Sequence, residues 1–382
     1  MTTALRELTD VQQEIVRTAR AFAETELAPH VAEWDRAGRT PRATVAKLGE
    51  LGFLGMLLPE EWGGSGLDTL TYLLALEEIA RVDPSTALTM SVHSSLPSGL
   101  VLRHGTDETR RRYLPSMATG EMLGAFALSE NHAGSDPSRL SCRARRDGEA
   151  YVLDGAKAWV TNGATADVVV VFARTGGEGA RGVSAFLVET GWEGYAVGKE
   201  EKKMGLRASN TAEIVLTGLR VPAGHRLGEE GRGLEYAFAG LDHGRLGIAA
   251  QSLGIAQACL DLAVAYARER HSFGHPIAEF QGLRFMLAEL AAQIAAARAL
   301  THATAEKKDQ GRDTRKEAAM AKLLASRAAM TAAVQAVQVY GGYGYIKDYP
   351  VERWFRDAKA TEIYEGTSEI QKIVIARQLF GD

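Results

Sequence analysis

Apolar residues recur at the period of an α-helix through the first 120 residues of the chain. Thr9 and Gln12 have the spacing of a capping box. The helical stripe that follows them consists of Ile15, Val16, Ala19, Phe22 and Ala23. Pro41 and Pro84 suit the first turns of later helices, where a missing N–H is tolerated. Residues 59–66 include three glycines and are predicted to form a loop.

The period changes in the middle of the chain, between about residues 122 and 222. Short β-rich runs occupy residues 168–172, 183–188 and 212–216, and glycine-rich turn clusters such as residues 176–179 separate them. Short strands over a segment of this length predict a compact β-barrel or sandwich.

Helical periodicity returns in the last part of the chain. After a glycine-punctuated linker at residues 224–233, long Ala-rich amphipathic segments cover residues 246–268, 283–307 and 316–339. Their lengths and short connections are typical of a helix bundle. The predicted fold class is therefore mainly α with a central β-domain. The predicted domains are an N-terminal helical domain (1–121), a middle β-barrel domain (122–223) and a C-terminal helical bundle (224–382).

Composition narrows the class of function. With 382 residues, a net charge of −4 and a pI near 6.2, the chain has ordinary globular composition. This charge gives no support for binding to nucleic acid or to an anionic membrane. Cys142 and Cys259 match no metal or disulfide spacing, so we expect both to be buried thiols. Six of the histidines also lack metal-ligand spacing. They are His93, His132, His225, His271, His275 and His302.

The N-terminus shows neither the apolar run of a signal peptide nor the composition of a transit peptide. The most apolar stretch, residues 246–267, contains Gln251, Gln257 and Asp261. These polar residues favour a buried bundle helix over a membrane span. A cytoplasmic location is expected by elimination.

Glu365 is the most informative candidate for chemistry. It stands between Tyr364 and the pair Gly366 and Thr367. A glycine beside a carboxylate lets the backbone approach a bound molecule closely. A carboxylate held there with little water has a raised pKa, which suits a general base. The alternative is an ordinary helix start in which Thr367 is the N-cap.

The segment Tyr364–Thr367 resembles the catalytic signature of the acyl-CoA dehydrogenases, and the resemblance extends from about residue 8 to residue 380. It implies an FAD enzyme in which Glu365 removes the α-proton of an acyl-CoA while hydride leaves Cβ for flavin N5, giving a trans-2-enoyl-CoA. It also implies a homotetramer, electron transfer to an electron-transfer flavoprotein, and a place in fatty acid β-oxidation. Residues 90–96, 244–257 and 316–326 are most similar to the short-chain, butyryl-CoA branch.

Residues 126–136 resemble the loop of this family that contacts the flavin and the pantetheine arm of the substrate. The matching positions are Phe126, Leu128, Ser129, Gly134 and Ser135, and Ser135 is expected to contact both molecules. Asn131 and His132 follow Glu130 where the family often has proline, so the loop shape is left open. As a pattern alone, the segment is an Asx- and Gly-rich turn.

Residues 157–163 contain Trp159 and Thr161, which would share one face of a regular strand. A tryptophan in a strand is more often part of a core. The resemblance implies instead that Trp159 flanks the flavin ring, that Thr161 donates near N5, and that Val160 belongs to the same site.

Residues 241–245 are expected to precede a long helix. They contain Asp242 and Arg245, three apart, which alone indicate only a surface pair. The resemblance places both under the thioester, with Tyr364 and Gly366 also on the substrate side. A minority branch has its catalytic glutamate directly before this arginine. Here that position is Gly244, which leaves Glu365 as the base.

A further group of residues resembles segments that bind the FAD pyrophosphate and adenosine of a neighbouring subunit. An arginine suits pyrophosphate because its planar fork bonds two oxygens at once. Each segment alone could instead be an ordinary helix end. The residues are Arg270, Ser272, Phe273, Gln281, Gln338, Gly341 and Gly342, and the resemblance adds Thr367 and Glu369 to the cofactor site.

Other functions on the same fold stay open at this point. The chain could be an acyl-CoA oxidase, a flavin monooxygenase, an enoyl-CoA reductase or a medium- or branched-chain dehydrogenase. It could also be a binding protein that has lost the chemistry. Glu365 and Arg245 together argue against a monooxygenase.

Overall fold

The computed structural model describes residues 7–381, and its elements follow the order helices, strands, helices. The N-terminal helices are α1 (Asp10–Phe22), α2 (Val31–Ala37), α3 (Arg42–Glu50), α4 (Thr69–Ala80), α5 (Pro84–His93), α6 (Gly99–His104) and α7 (Asp107–Ala118). Thr9 and Gln12 form both hydrogen bonds of the predicted capping box. Pro84 opens α5, whereas Pro41 is the N-cap of α3. The predicted loop at 59–66 contains one 3₁₀ turn, Glu60–Trp62.

An eight-stranded sheet forms the middle of the molecule. Its strands are β1 (Gly124–Ala127), β2 (Arg143–Asp147), β3 (Ala150–Thr161), β4 (Val168–Arg174), β5 (Val183–Glu189), β6 (Tyr195–Glu200), β7 (Thr211–Pro222) and β8 (Arg226–Leu227). The strand order is β6-β7-β3-β2-β4-β5-β8, and β1 pairs with β4. All three predicted runs are strands. The expected linker is not wholly a linker, because β8 pairs with β5 and extends the sheet.

Strand β4 shows why these runs lack a polar face. Val168, Val170 and Phe172 pack into one hydrophobic cluster, and Val169 and Val171 pack into another on the opposite side. A strand buried on both faces has a continuous apolar sequence rather than an alternating one. The sheet therefore has one core against the helices and a second core of its own.

The C-terminal part is a helix bundle. Its helices are α8 (Gly233–Glu269), α9 (Gln281–Asp309), α10 (Arg315–Tyr340), α11 (Val351–Thr361) and α12 (Ser368–Phe380), and a small hairpin of β9 (His271–Ser272) and β10 (His275–Pro276) joins α8 to α9. Helix α8 begins at Gly233, so the expectation that residues 241–245 precede this helix was wrong. Glycines at 240, 244 and 247 lower helix propensity, but close packing at Gly244 and Gly247 overrides that preference.

Helix α8 lies at the centre of the bundle. It is the one helix among the described residues that is long and apolar enough to cross a membrane, and 72% of its most apolar window is buried in protein. Gln251 is fully buried and donates to the Pro84 carbonyl at 2.7 Å. These features are typical of a core helix, since buried polar groups in such helices have hydrogen-bond partners. Cys142 and Cys259 are both free and buried.

Candidate active site

Glu365 lies in the turn between α11 and α12, with its backbone in the left-handed region. The φ angle is 50° at Glu365 and 91° at Gly366, a conformation that glycine adopts freely and glutamate does not. Gln371 Nε2 donates to the carbonyls of Glu365 (3.2 Å) and Gly366 (2.7 Å), and Lys322 Nζ donates to the Gly366 carbonyl at 2.8 Å. A strained turn of this kind persists because its surroundings hold it.

The same turn also begins α12, as the alternative interpretation proposed. The Thr367 hydroxyl accepts from the Ile370 N–H at 3.3 Å, and the exposed Glu369 lies in the first turn of the helix. The cap and the unusual turn coexist, because the cap explains where α12 starts but not why Glu365 points inward.

The Glu365 carboxylate is buried without a partner. Both of its oxygens are shielded from solvent and accept no hydrogen bond from the described residues. Burial raises the pKa of Glu365 to about 7, although the charges of Lys322 and Arg245 lower it in part. A carboxyl group with this pKa is partly ionised at neutral pH and can take up a proton, which suits a general base.

Gly244 makes room for this carboxylate. A Cβ atom at residue 244 would lie 2.0 Å from Glu365 Oε2 and 2.8 Å from Glu365 Cδ, far inside contact distance. The glutamate therefore rests directly on the α8 backbone. From the sequence, Gly244 indicated only that no catalytic glutamate stands at this position. The structure shows that Gly244 also packs against the Glu365 carboxylate.

Asp242 and Arg245 lie beside this contact, one helical turn apart on α8. Arg245 Nη1 donates to Asp242 Oδ1 at 2.5 Å, and the Arg245 side chain is 7% exposed. The Nε of Arg245 is buried and has no acceptor within the part of the chain that the structure describes. Burial raises the pKa of Asp242, and the Arg245 charge opposes this shift. This pair is a buried ion pair with donor capacity left over, not the surface pair that spacing alone suggested.

An apolar wall borders the site. Its buried members are Leu88, Val92, Leu96, Leu206 and Ile248, and the half-buried Phe126, Leu241, Ala360 and Tyr364 pack against them. The wall brings Phe126 of the predicted flavin loop together with Tyr364 of the Glu365 turn. The Tyr364 hydroxyl donates to Gln251 Oε1, which fixes the aromatic ring. Sequence reasoning had not assigned a role in the site to Gln251.

Trp159 is not a core residue. Its side chain is 60% exposed and its φ is 62°, at an irregularity of pairing between Lys157 and Val160. The expected regular strand is therefore a β-bulge, which re-aims a side chain. Val160 is 1% exposed and packs in the sheet core. The Val160 side chain therefore points away from the predicted flavin site, and only the Val160 backbone can lie on the side of Trp159 and the half-buried Thr161.

The predicted flavin loop is tied to this bulge. The Ala158 N–H donates to the Ser129 carbonyl at 2.9 Å. Glu130 is buried and accepts from Lys157 Nζ at 2.7 Å and from the N–H groups of Ser141 and Cys142. This buried ion pair holds the base of the loop, and the sequence had not indicated it.

The outer part of the loop is open to solvent. Glu130 and Ala133 close a tight turn, so Asn131 and His132 stand at an exposed tip. Gly134 and Ser135 are exposed, whereas Leu128 is buried. The Phe126 ring packs against the Phe172 ring, with 5.0 Å between the ring centroids. The exposed positions are free to contact a ligand.

The predicted pyrophosphate residues meet at the opposite end of α8. A cavity of about 520 Å³ is lined by Arg270, Ser272, Gly341 and Gly342, together with Tyr343 and other residues. The Arg270 guanidinium lies over the Tyr343 ring at 5.6 Å and has no carboxylate partner in the described residues. Three other predicted cofactor residues are exposed to solvent: Phe273 and Gln281, which follow Arg270 in the chain, and Gln338, which precedes Gly341.

One chain does not bring these two groups together. Gly244 contacts Glu365, whereas Arg270 follows the C-terminal end of the same helix, about 39 Å away at a rise of about 1.5 Å per residue. A single dinucleotide cannot touch both places in one protomer.

The residues around Trp159 fit a flavin. A flavin is a flat aromatic ring system with polar edges, and the exposed indole offers it a stacking face beside the Thr161 hydroxyl. No group of three or more His, Cys, Asp or Glu side chains suited to a metal ion occurs within residues 7–381.

Comparison with known proteins identifies three matching family models. They are described as the N-terminal, middle and C-terminal domains of acyl-CoA dehydrogenase, and they match residues 9–121, 125–219 and 231–380. A short-chain specific mitochondrial acyl-CoA dehydrogenase of Bos taurus is 48% identical over 374 residues, which cover 98% of this chain and 91% of that protein. A short-chain specific acyl-CoA dehydrogenase of Clostridium acetobutylicum is 45% identical over 371 residues, which cover 97% of this chain and 98% of that protein.

Solved structures agree with these relatives. Butyryl-CoA dehydrogenase from Megasphaera elsdenii has a TM-score of 0.96 at 43% identity, covering 98% of this chain and all of that one. A chain from a study of the electron transferring flavoprotein of Acidaminococcus fermentans has a TM-score of 0.97 at 46% identity, covering 98% and 99%. A glutaryl-CoA dehydrogenase from Mycobacterium smegmatis in complex with FADH2 has a TM-score of 0.93 at 32% identity, covering 98% and 96%.

Proposed function

Because the chain belongs to the acyl-CoA dehydrogenase family, whose members are FAD-dependent oxidoreductases acting on CH–CH bonds, we propose that it oxidises short-chain acyl-CoA thioesters to trans-2-enoyl-CoA. The observation that carries this proposal is the Glu365 carboxylate, which is buried, accepts no hydrogen bond from residues 7–381 and has a pKa raised to about 7. A structural carboxylate is normally paired when buried, so an unpaired one indicates a proton acceptor.

Glu365 would remove the proton from Cα of the acyl chain. That proton is only weakly acidic, so a donor is needed where negative charge develops on the thioester oxygen. The Glu365 N–H donates to no other group among residues 7–381, which leaves it available for the thioester carbonyl. When bound, FAD supplies the hydride acceptor for Cβ.

The surrounding residues would hold substrate and cofactor. Arg245 and Asp242 line the substrate side of the base, and Tyr364, fixed by Gln251, closes the apolar wall next to it. The wall also excludes water, which strengthens the electrostatic interactions inside the site.

Short, uncharged acyl chains are the proposed substrates. Helix α5 is buried along its whole length and carries no arginine or lysine to pair with a distal carboxylate. An unpaired carboxylate there would cost several kcal/mol. Chains of about four to six carbons should be preferred, with a graded decline, because each buried methylene contributes only about 1 kcal/mol.

A substrate panel tests this proposal. We expect kcat/KM, measured from butyryl- to dodecanoyl-CoA with glutaryl-CoA included, to be highest for the shortest chains. An optimum at octanoyl-CoA or longer, or efficient glutaryl-CoA turnover, would overturn the chain-length assignment and leave the chemistry at Glu365 intact. Loss of all turnover with intact flavin would instead support a binding protein.

The electron acceptor is proposed to be an electron-transfer flavoprotein. Support comes from the similar chain studied with such a protein from Acidaminococcus fermentans. An oxidase or an enoyl-CoA reductase on the same fold is the second candidate. Re-oxidation of the reduced enzyme by air, compared with re-oxidation by an added electron-transfer flavoprotein, separates an oxidase from a dehydrogenase.

We further propose a cytoplasmic homotetramer. The separation of the Arg270 group from the Glu365 site along α8 supports a cofactor shared between subunits. Each protomer would then contribute its Arg270 cavity to the FAD of a neighbour.

A further inference from the structure

Lys322 is the least expected charged residue near the site. Its side chain is fully buried on α10, and among residues 7–381 its Nζ bonds a backbone carbonyl, with no carboxylate within ion-pair distance. The Lys322 Nζ donates a hydrogen bond to the Gly366 carbonyl at 2.8 Å. Removing an ammonium from water without an ion pair is costly, and Ala318, Ala321 and Ala325 show that small apolar side chains otherwise fill this face of α10.

Charged and titratable groups from several elements face the Glu365 carboxylate. Lys322 approaches from α10 and Arg245 from α8, where Asp242 neutralises part of its charge. The neutral phenol of Tyr72 on α4 and that of Tyr364 in the turn are the other titratable neighbours. Arg245 already has a carboxylate partner, so Lys322 is the cation whose charge is not cancelled by a direct ion pair. Burial lowers the pKa of Lys322 to about 8, which leaves the ammonium form dominant at neutral pH.

We propose that Lys322 is a positioning residue for Glu365: it holds the left-handed Glu365–Gly366 turn through the Gly366 carbonyl and keeps the neighbouring carboxyl group ionisable at neutral pH. The role of Glu365 as a base rests on the proposed function, but the two effects of Lys322 on that side chain do not. An opposite charge nearby favours the ionised form of a carboxyl group.

Gln371 separates these two effects. Its amide donates to the carbonyls of Gly366 and Glu365, so it shares the mechanical task of Lys322. Unlike Lys322, the amide is uncharged and cannot stabilise a carboxylate by charge. A purely structural role for Lys322 would therefore make the two residues equivalent.

Infrared titration of the flavin-bound, substrate-free protein tests the proposal without requiring turnover. The carboxylic-acid band of Glu365 is identified by its loss in Glu365→Gln, and its pH dependence gives the pKa directly. We expect Lys322→Met to raise that pKa by at least about one unit. Gln371→Leu should leave it near the wild-type value. Lys316→Met, a substitution of the same type near the start of α10, is the matched control and should also leave it unchanged.

Steady-state kinetics add a second readout. Lys322→Met should move the pH profile of kcat upward together with the infrared pKa, whereas Gln371→Leu should lower kcat at every pH without moving the profile. If Lys322→Met does not fold, Lys322→Gln removes the charge, keeps a donor and should give the same rise in pKa. An unchanged pKa in the Lys322 variant that folds, or an equal rise in Gln371→Leu, would overturn the proposal. If substrates instead fail to react with wild-type enzyme, the proposed function fails and the infrared result still decides the role of Lys322.

Discussion

Glu365 combines features that cost stability at the scale of a single residue. Its backbone is left-handed, its carboxylate oxygens are buried, and no donor in the described part of the chain forms a hydrogen bond with them. Strain and desolvation of this kind occur together mainly at functional sites. The stabilising contacts are made by neighbours instead, since Gln371 and Lys322 bind the carbonyls of the turn.

This cost predicts a pH-dependent gain in stability for Glu365→Gln. The folded pKa of about 7 lies above the ordinary value of 4.5, so the folded protein is destabilised as pH rises through this window and the carboxyl ionises. The glutamine variant, which resembles the protonated form, should have a free energy of unfolding higher by about 3 kcal/mol at pH 8, since each pH unit of pKa difference is worth about 1.4 kcal/mol. Chemical denaturation of the variant and the wild type at pH 8 and at pH 4.5 measures this difference in free energy of unfolding.

The difference should disappear near pH 4.5, where Glu365 is protonated in the folded state. Equal stability of variant and wild type at pH 8, or a larger gain at low pH than at high pH, would contradict the buried, unpaired state of this carboxylate.

The sequence predicted Glu365, its turn and the Thr367 cap, because these signals are local in the chain. It did not predict Lys322, Gln371 or Gln251. A lysine or glutamine within a helix pattern is usually solvated, and only the packing of α10, α12 and α8 around the turn turns these side chains inward. The one available signal was that Lys322 falls on the Ala-rich stripe of α10.

At the scale of elements, helix α8 and the turn after α11 form a matched pair. The Glu365 carboxylate of the turn occupies the space that a side chain at Gly244 of α8 would fill. Gly240 on the same helix has more room, because an added Cβ would meet Leu96 only at 3.5 Å. These two glycines make a controlled comparison.

Gly244→Ala should displace the Glu365 carboxylate and lower kcat/KM by at least about 100-fold, because a small misplacement of a catalytic group is enough for a loss of this size. Alanine is the better helix former, so α8 itself should not be weakened. Gly240→Ala is the control and should retain most of the activity. Steady-state kinetics on both variants measure the effect, and near-wild-type activity in Gly244→Ala would show that the carboxylate does not rest on α8.

Element boundaries were predictable except where packing overrides local preference. The glycines of α8 lower helix propensity, and their positions against Ser91, Leu96 and Glu365 were invisible in the sequence. The bulge at Trp159 was missed for a related reason. Period-2 reasoning assumes a regular strand, whereas the pairing of β3 with β7 shifts register there.

At the scale of the whole molecule, the predicted cofactor residues fall into two separate regions. Motif resemblance named both and implied that the Arg270 group serves a neighbouring subunit. The course of α8 adds the physical reason, because one protomer holds the two regions far apart. The assembly proposed above therefore makes a prediction about flavin retention that a self-contained site does not make.

Arg270→Ala should weaken FAD binding by about 10- to 100-fold, because a hydrogen bond to a charged group contributes about 1.5–3 kcal/mol. Arg268→Ala is the matched control, since Arg268 is also exposed near the end of α8 but lies outside the Arg270 cavity. Diluting the wild-type protein until it dissociates should release flavin as well. Size-exclusion chromatography monitored by flavin absorbance measures both effects, and a monomer that retains full FAD would exclude a shared site.

The central claim is that Glu365 removes the substrate proton, and anaerobic titration with butyryl-CoA tests it most directly. Wild-type protein and Glu365→Gln should both purify with FAD and bind the thioester. The flavin absorbance should bleach in the wild type, and in the variant the bleaching rate should fall by about 10²–10⁴-fold, the usual cost of removing a general base. Bleaching of Glu365→Gln at more than about a tenth of the wild-type rate would contradict the assignment of Glu365 as the base.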